Sequence, residues 1–209
     1  IAVKLKIPLV MYGENSEAEY GGSMKNAESP ISDYHDDIKE FAFSGLSPED
    51  MVMHGISKED LYVYLKPPID ALDRNDTKIY MLGYYKKWIP QENYYYAVQH
   101  AGFSANAERS EGTYSKYASL DDKTDGFHHY LSYIKFGLGR ATADTAHEIR
   151  DGHLMREEGV RLVQKYDGEF PDKYFKTFLD YCDITEEYFW EVVDSFRSPH
   201  LWVKVNGEW

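Results

Sequence analysis

Residues 127–138 read Phe-His-His-Tyr-Leu-Ser-Tyr-Ile-Lys-Phe-Gly-Leu, and their apolar side chains recur at the spacing of one helix face. This face comprises Phe127, Tyr130, Leu131, Ile134 and Leu138. The spacing is typical of a helix that packs on a core. The same spacing recurs in two later segments, with Phe175, Phe178, Leu179 and Cys182 in one and Phe189, Val192, Val193 and Phe196 in the other. We therefore predict a helical C-terminal subdomain over residues 108–209.

The residues before this subdomain have the pattern of an α/β fold. An apolar run over Ile7–Tyr12 predicts a buried strand, Lys78–Tyr85 predicts a second strand, and Pro90–Ala101 predicts a helix that ends near Gly102. We assign residues 1–107 to an α/β core with an insertion near residues 25–76. Ser47 and Ser57 predict helix starts within that insertion, and Thr185 predicts the N-cap of a later helix. Strand, polar loop, strand and helix in this order indicate the later part of a doubly wound sheet.

Composition excludes several classes of protein. The 209 residues carry 36 acidic and 23 basic side chains, a net charge of −13, which disfavours binding to nucleic acid. No apolar run reaches the length of a membrane span, and the single cysteine, Cys182, cannot form a disulfide within the chain. We expect a cytoplasmic protein. Because the chain begins at Ile1 without methionine, we also expect it to be a piece of a longer protein.

An acidic, glycine-containing loop follows the first predicted strand. It runs from Gly13 to Glu19, and Glu14, Glu17 and Glu19 supply carboxylates at the carboxyl end of that strand. Ligands of open α/β sheets bind at such strand ends, and carboxylate oxygens suit Mg²⁺. The alternative is a solvated acidic surface loop.

A second candidate site begins at Lys135 and runs through two glycines to Arg140 and Asp144. Cations beside the first turn of a helix are suited to bind phosphate or pyrophosphate. The alternative is a glycine-containing break between helices, with Arg140 paired to Asp144 four residues later. Nearby, His128 and His129 are adjacent and point about 100° apart on a helix, which suits substrate contact or a structural role better than one shared metal ion.

Several of these segments resemble the N-acetyl sugar amidotransferases, the WbpG and PseA type enzymes of surface-polysaccharide biosynthesis. The resemblance covers nearly the whole chain and is carried by residues 11–22, 127–130, 135–142, 148–150, 166–169 and 185–190. That family is similar in turn to the PP-loop ATP pyrophosphatases. The resemblance therefore implies a Rossmann-like parallel sheet of the adenine nucleotide alpha-hydrolase type, present here in its later strands.

The resemblance also implies a reaction, an ATP-dependent amidation. The N-acetyl group of a nucleotide-linked sugar would be adenylylated at its amide oxygen and attacked by ammonia to give an acetamidino sugar. A glutaminase and a cyclase-like subunit would deliver the ammonia, with ATP and Mg²⁺ as cofactors. The implied roles are catalysis by Lys135, Arg140 and Asp144, nucleotide or pyrophosphate binding by Gly13, Glu14 and Asn15, sugar binding by His128, His129 and Tyr130, and metal binding by Glu14, Glu17 and Glu19.

The chain departs from the family pattern in two respects. The Ser-Gly-Gly-x-Asp-Ser phosphate loop of the family is not in these residues, nor is its N-terminal cysteine cluster. We therefore expect the C-terminal portion of the enzyme, which cannot hydrolyse ATP without the missing PP-loop half. Two alternatives stay open: a non-catalytic helical module that binds a glycan or a protein, and a PP-loop enzyme that acts on another substrate such as tRNA.

Overall fold

The computed structural model describes residues 1–13, 28–32, 45–207 and 209, and it divides into two compact units. The N-terminal unit comprises residues 1–88 and the C-terminal unit residues 89–209. The predicted division after residue 107 stays a prediction about domains. In the part of the chain that the structure describes, every helix is too short or too polar to cross a membrane.

The N-terminal unit combines short helices with a small mixed sheet. Its strands are β1 (Leu9–Tyr12), β2 (Ile31–Ser32) and β3 (Lys78–Met81). Its helices are α1 (Ala2–Leu5), α2 (Pro48–Met53), α3 (Lys58–Leu61), α4 (Ile69–Asn75) and α5 (Leu82–Tyr85), with a 3₁₀ turn at Tyr62–Tyr64. The predicted helix starts at Ser47 and Ser57 are confirmed, because the two serine hydroxyls accept hydrogen bonds from the backbone N–H groups of Asp50 and Asp60.

The sheet differs from the predicted parallel arrangement. β1 pairs with β3 in parallel, with Leu9 opposite Lys78, but β2 pairs with β3 antiparallel, with Ile31 opposite Tyr80. The described strands therefore form a mixed sheet in the order β1-β3-β2, and the Rossmann-like sheet is not confirmed. The second strand is also shorter than predicted, because residues 82–85 turn into α5.

The first strand is present but not buried. Leu9, Met11 and Tyr12 are each about half exposed, so the expectation of a buried strand is wrong for β1. An apolar run indicates a strand through its local preference. Burial depends instead on which other elements pack against that strand, and the hydropathy of the strand does not predict them.

The C-terminal unit is helical, as predicted. Its helices are α6 (Pro90–Ala101), α7 (Asp125–Phe136), α8 (Arg140–Asp151), α9 (Arg156–Tyr166), α10 (Phe175–Cys182) and α11 (Glu186–Ser195), with a 3₁₀ turn at Asp172–Tyr174. Pro90 starts α6, and Gly102, in the left-handed conformation, ends it. The predicted cap at Thr185 is confirmed, since its side chain accepts a hydrogen bond from the Tyr188 backbone N–H.

The core of this unit forms where α7 and α11 contribute their apolar faces. Phe127, Ile134 and Val193 are almost completely buried, and the Phe127 ring stacks on Phe178 of α10 with centroids 4.2 Å apart. Burial of each large side chain contributes about 2–3 kcal/mol. Four members of the predicted faces lie outside this core. Leu138 follows the end of α7, Cys182 and Phe196 are exposed at helix ends, and Val192 is only partly buried.

Candidate functional site

A polar cleft of about 490 Å³ lies within the C-terminal unit. Its walls are the loop of residues 106–123, the first turns of α7 and α8, and the 3₁₀ turn before α10. Charged and hydroxyl side chains dominate its lining, which includes Glu108, Arg109, Ser110, Glu111, Ser119, Asp121, Asp122, Lys123, His129, Arg140, Lys173 and Tyr174. A cleft of this volume accommodates a small organic ligand.

The loop of residues 106–119 is held by its own hydrogen bonds. The Asn106 N–H donates to the Lys116 carbonyl at 3.0 Å, and the Ser110 hydroxyl donates to the Ala118 carbonyl at 2.7 Å. Thr113 and Ser115 are buried, although both are polar. The serine, threonine and glycine residues of this segment are typical of an ordinary surface loop, so its sequence carries no signal of a functional site.

A bidentate ion pair fastens this loop to the segment after α9. Both terminal nitrogens of Arg109 donate to the Glu169 carboxylate at 2.6 Å, and one Glu169 oxygen also accepts the Gly112 N–H at 2.8 Å. The Arg109 guanidinium lies 4.6 Å from the centre of the Tyr166 ring. The hydrogen bonds from Arg109 hold the pKa of Glu169 below its usual value.

Arg140, at the start of α8, is the centre of a second charged network. Its Nε donates to Asp144 at 3.0 Å, and its Nη1 lies 3.3 Å from Asp125 and 2.8 Å from His129 Nε2. Asp144 accepts a further hydrogen bond at 2.5 Å from the hydroxyl of the buried Thr113. The structure therefore brings together two of the three predicted catalytic residues, Arg140 and Asp144. It also forms the Arg140–Asp144 ion pair of the alternative interpretation.

His129 is neutral at the wall of this cleft. Because a guanidinium can only donate, the contact with Arg140 makes Nε2 of His129 the acceptor and leaves the ring proton on Nδ1. Burial and the charge of Arg140 both lower the pKa of His129. The imidazole is thus held as a neutral hydrogen-bonding group.

The other two predicted sugar-binding residues point elsewhere. His128 is exposed and does not line the cleft. Tyr130 is 9% exposed and belongs to the apolar core. Helix geometry explains this separation, because consecutive side chains of α7 point about 100° apart.

Lys135 lies on a different face of α7 from His129. Six residues separate the two, which places them about 120° apart around the helix. The Lys135 ammonium lies 5.2 Å from the ring centre of Phe136 and 5.1 Å from that of Phe196. Within the described residues, no ion pair or hydrogen bond joins Lys135 to the Arg140 network.

A carboxylate of the protein itself accepts hydrogen bonds from the first turn of α8. Asp167 accepts hydrogen bonds from the backbone N–H groups of Gly139 and Thr142, each at 3.1 Å, and from the Thr142 hydroxyl. A side chain at Gly139 would not fit, because an added Cβ would lie 2.8 Å from an Asp167 oxygen. Asp167 therefore occupies the position at which the sequence predicted a phosphate.

A third polar cluster lies beside Asp144. Burial raises the pKa of Tyr114, whose hydroxyl faces Glu148, and it also raises the pKa of Glu148. Burial together with the same carboxylates raises the pKa of Tyr117 to about 12. The Tyr117 ring stacks on Tyr94 of α6 with centroids 4.3 Å apart, so this cluster anchors α6 to the loop.

The predicted metal ligands Glu14, Glu17 and Glu19, and the predicted nucleotide contact Asn15, lie outside the described residues. Gly13 is described, and it follows the end of β1 with no atom near its missing Cβ position. Among the residues that the structure covers, no group of three or more His, Cys, Asp or Glu side chains could hold a metal ion. The predicted Mg²⁺ site stays a prediction, because its carboxylates belong to residues that the structure does not describe.

A comparison with known protein families finds a match for the segment that contains most of the cleft. Residues 111–209 match the C-terminal domain of the LPS biosynthesis protein WbpG-like family. The match supports a WbpG-type C-terminal portion in this part of the chain. A comparison with curated proteins finds no match to the chain. Most of the residues that line the cleft lie inside the WbpG-like segment, and so do both partners of the Arg140–Asp144 ion pair.

Proposed function

We propose that this chain is part of an ATP-dependent amidotransferase that acts on a nucleotide-linked N-acetyl sugar in lipopolysaccharide biosynthesis. The observation that carries the proposal is the WbpG-like match over residues 111–209, a segment that contains most of the residues lining the cleft. The coarser conclusion, membership of a lipopolysaccharide biosynthesis family, follows from that match. The reaction itself rests on the resemblance to the N-acetyl sugar amidotransferases.

The proposed reaction has two steps, activation of the amide and displacement of AMP by ammonia. The amide oxygen of the N-acetyl group attacks the α-phosphate of ATP, and pyrophosphate leaves. Ammonia then attacks the activated carbon, AMP leaves with the former amide oxygen, and a proton is released to leave an acetamidino group. Negative charge develops on the departing groups in both steps, and fixed cations near those groups lower the barrier.

The contacts of Arg140 support a role in substrate binding. Its described hydrogen bonds use Nε and Nη1, which leaves Nη2 available to a ligand, and the residue lines the cleft. Asp144 holds this guanidinium in position through a 3.0 Å ion pair. The neutral His129 is available to contact the sugar. The roles of Lys135, of ATP and Mg²⁺, and of the ammonia-delivering subunits stay proposals.

Isotope labelling of the intact enzyme, including the residues upstream of this chain, tests the reaction. The sugar nucleotide carries labelled oxygen in its N-acetyl group and is supplied with ATP and ammonia. We expect the label in AMP and an acetamidino group on the sugar. Label in inorganic phosphate would show that phosphorylation activates the amide, and label retained in the sugar would refute activation altogether.

Two exposed lysines provide a matched test of the residue roles. We expect Lys135→Ala to abolish amidation through loss of the implied pyrophosphate contact, with the fold unchanged because Lys135 is exposed and outside the core. Lys176→Ala is the control, since Lys176 is an exposed lysine of α10 that belongs to no predicted site. Unchanged turnover in Lys135→Ala would refute the pyrophosphate role of this lysine.

A binding module remains the second candidate, and one observation favours it. The cleft arginines, Arg109 and Arg140, are both held in position by carboxylates, as in a preformed binding surface. A module of this kind would bind the sugar nucleotide with no transfer of label to AMP. The labelling experiment therefore separates the two candidates.

A further inference from the structure

Two lysines flank one aromatic ring on the wall of the cleft. The Lys123 ammonium lies 5.6 Å from the ring centre of Tyr174, and the Lys173 ammonium lies 5.3 Å from the same ring. Lys123 comes from the loop before α7, whereas Lys173 and Tyr174 come from the 3₁₀ turn before α10. Segments about 50 residues apart in sequence thus place two positive charges beside one flat apolar surface.

These lysines differ from the arginines of the cleft in their partners. Arg109 is held by Glu169, and Arg140 by Asp125 and Asp144. Within the described residues, neither Lys123 nor Lys173 forms an ion pair with a carboxylate. Glu111 interacts electrostatically with Lys173. Without a direct ion pair, both ammonium groups stay available to an anion, and the cleft beside them limits which anion fits.

The backbone on both sides of this ring is well ordered by local contacts. The Lys173 N–H donates to the Glu111 carboxylate at 3.2 Å, which ties the 3₁₀ turn to the loop wall. Pro171 packs against Gly126, where an added Cβ would lie only 2.9 Å from the proline ring. The two lysines therefore belong to segments that these contacts hold in place, although their ammonium groups are exposed to solvent.

We propose that Lys123 and Lys173 bind the diphosphate of a nucleotide-linked sugar, with the Tyr174 ring beside it. This inference deepens the proposed function and rests on it for the identity of the ligand. Two ammonium groups match the two phosphates of such a diphosphate, and Glu108 and Asp121 in the same cleft provide acceptors for sugar hydroxyls. The aromatic ring provides a surface on which a sugar or base packs.

Titration calorimetry with the purified 209-residue chain tests the proposal without turnover. The probes are UDP-N-acetylglucosamine, UDP, ATP and free N-acetylglucosamine. We expect the first two to bind with an affinity that falls as salt is added, and the free sugar to bind far more weakly. Lys123→Ala and Lys173→Ala are each expected to weaken binding of the sugar nucleotide about fivefold, and the double variant about thirtyfold.

Lys165→Ala is the matched control. Its ammonium also lies over a tyrosine ring, 5.0 Å from the centre of Tyr166, but Lys165 does not line the cleft. We expect its affinity for the sugar nucleotide to equal that of the unaltered chain. Because all three lysines are exposed, circular dichroism is expected to show the same fold in every variant.

Two results would overturn the proposal. Binding of UDP-N-acetylglucosamine that is absent, or that the double lysine variant retains in full, would exclude the diphosphate contact. Tighter binding of ATP than of the sugar nucleotide would assign these lysines to ATP instead. Lysine-dependent binding without label transfer to AMP in the intact enzyme would refute the amidation but keep this site, so the two proposals fail separately.

Discussion

The two units of this chain differ in how far they bury their apolar side chains, although both form regular elements through local hydrogen bonds such as helix caps. In the N-terminal unit, Ser47 and Ser57 start helices and β1 pairs with β3, yet Leu9, Met11 and Tyr12 stay about half exposed. In the C-terminal unit, helices with comparable caps bury Phe127, Tyr130, Ile134, Phe189 and Val193 in one cluster. Capping and pairing thus form elements, while a core needs several apolar faces that converge. The cleft occurs in the unit that has such a core.

The largest expected difference between the units is the cost of removing an apolar side chain. Phe127→Ala is expected to lower the free energy of unfolding by about 3–5 kcal/mol, because Phe127 is 1% exposed among four other aromatic rings. Leu9→Ala in β1 is the control, with an expected loss of about 1 kcal/mol or less. Urea denaturation followed by circular dichroism measures both. Equal losses would contradict the contrast between the units.

Two glycines in the left-handed conformation sharpen the comparison within the C-terminal unit. Gly168→Ala is expected to cost about 2–4 kcal/mol, because its φ is +81° and a Cβ would lie 2.4 Å from the Tyr133 ring. Gly152 has a φ of +78° and no atom within 4 Å of the Cβ position. Gly152→Ala is therefore expected to cost only about 1 kcal/mol. Thermal unfolding of the two variants separates the clash from the backbone strain.

The cap from Asp167 to α8 is expected to contribute about 1–2 kcal/mol. Asp167→Ala removes the acceptor for two backbone N–H groups and the favourable charge at the helix start. Asp180→Ala is the control, since Asp180 is exposed and pairs with Lys176 on the surface of α10. Chemical denaturation measures both losses. A loss from Asp167→Ala that matches the control would mean that solvent replaces the cap.

The smallest expected effect is the pH dependence of the Arg109–Glu169 ion pair. Because its folded pKa is lowered from 4.5, Glu169 contributes stability above that pH, which is lost as the pH falls through the folded value. We expect Glu169→Gln to cost about 1 kcal/mol at neutral pH, given the partial exposure of the pair. The difference from the unaltered chain is expected to shrink as the pH falls below 4.5. Denaturation curves at several pH values measure it, and a constant difference would contradict the linkage.

Sequence reasoning predicted the helices of the C-terminal unit more accurately than the site. Pro90, Gly102 and Thr185 mark helix ends with local chemistry, and each is confirmed. Arg140 and Asp144 were predicted from their spacing, which one helix turn brings together. Lys135 was grouped with them because it is close in sequence, but the rotation of α7 turns it toward Phe136 and Phe196.

The contacts that build the cleft join residues far apart in sequence, and no local pattern reports them. Arg109 and Glu169 are separated by 60 residues, and Thr113 and Asp144 by 31. Asp167 reaches the start of α8 across 28 residues. Each of these residue types is ordinary in a loop or at a helix end, so their partners become visible only when the helices have packed.

By itself, the sequence determined the helical character of the C-terminal unit, the helix ends at Pro90, Gly102 and Thr185, the strongly acidic charge and the resemblance to a sugar-modifying family. These properties depend on side-chain spacing, on caps and on motif residues that lie within a few positions of one another. Only the tertiary structure decided that β2 runs antiparallel, that Tyr130 belongs to the core, that Asp167 caps α8, and that Lys123 and Lys173 meet at Tyr174. The physical reason is that side chains distant in the chain acquire neighbours through the packing of whole elements.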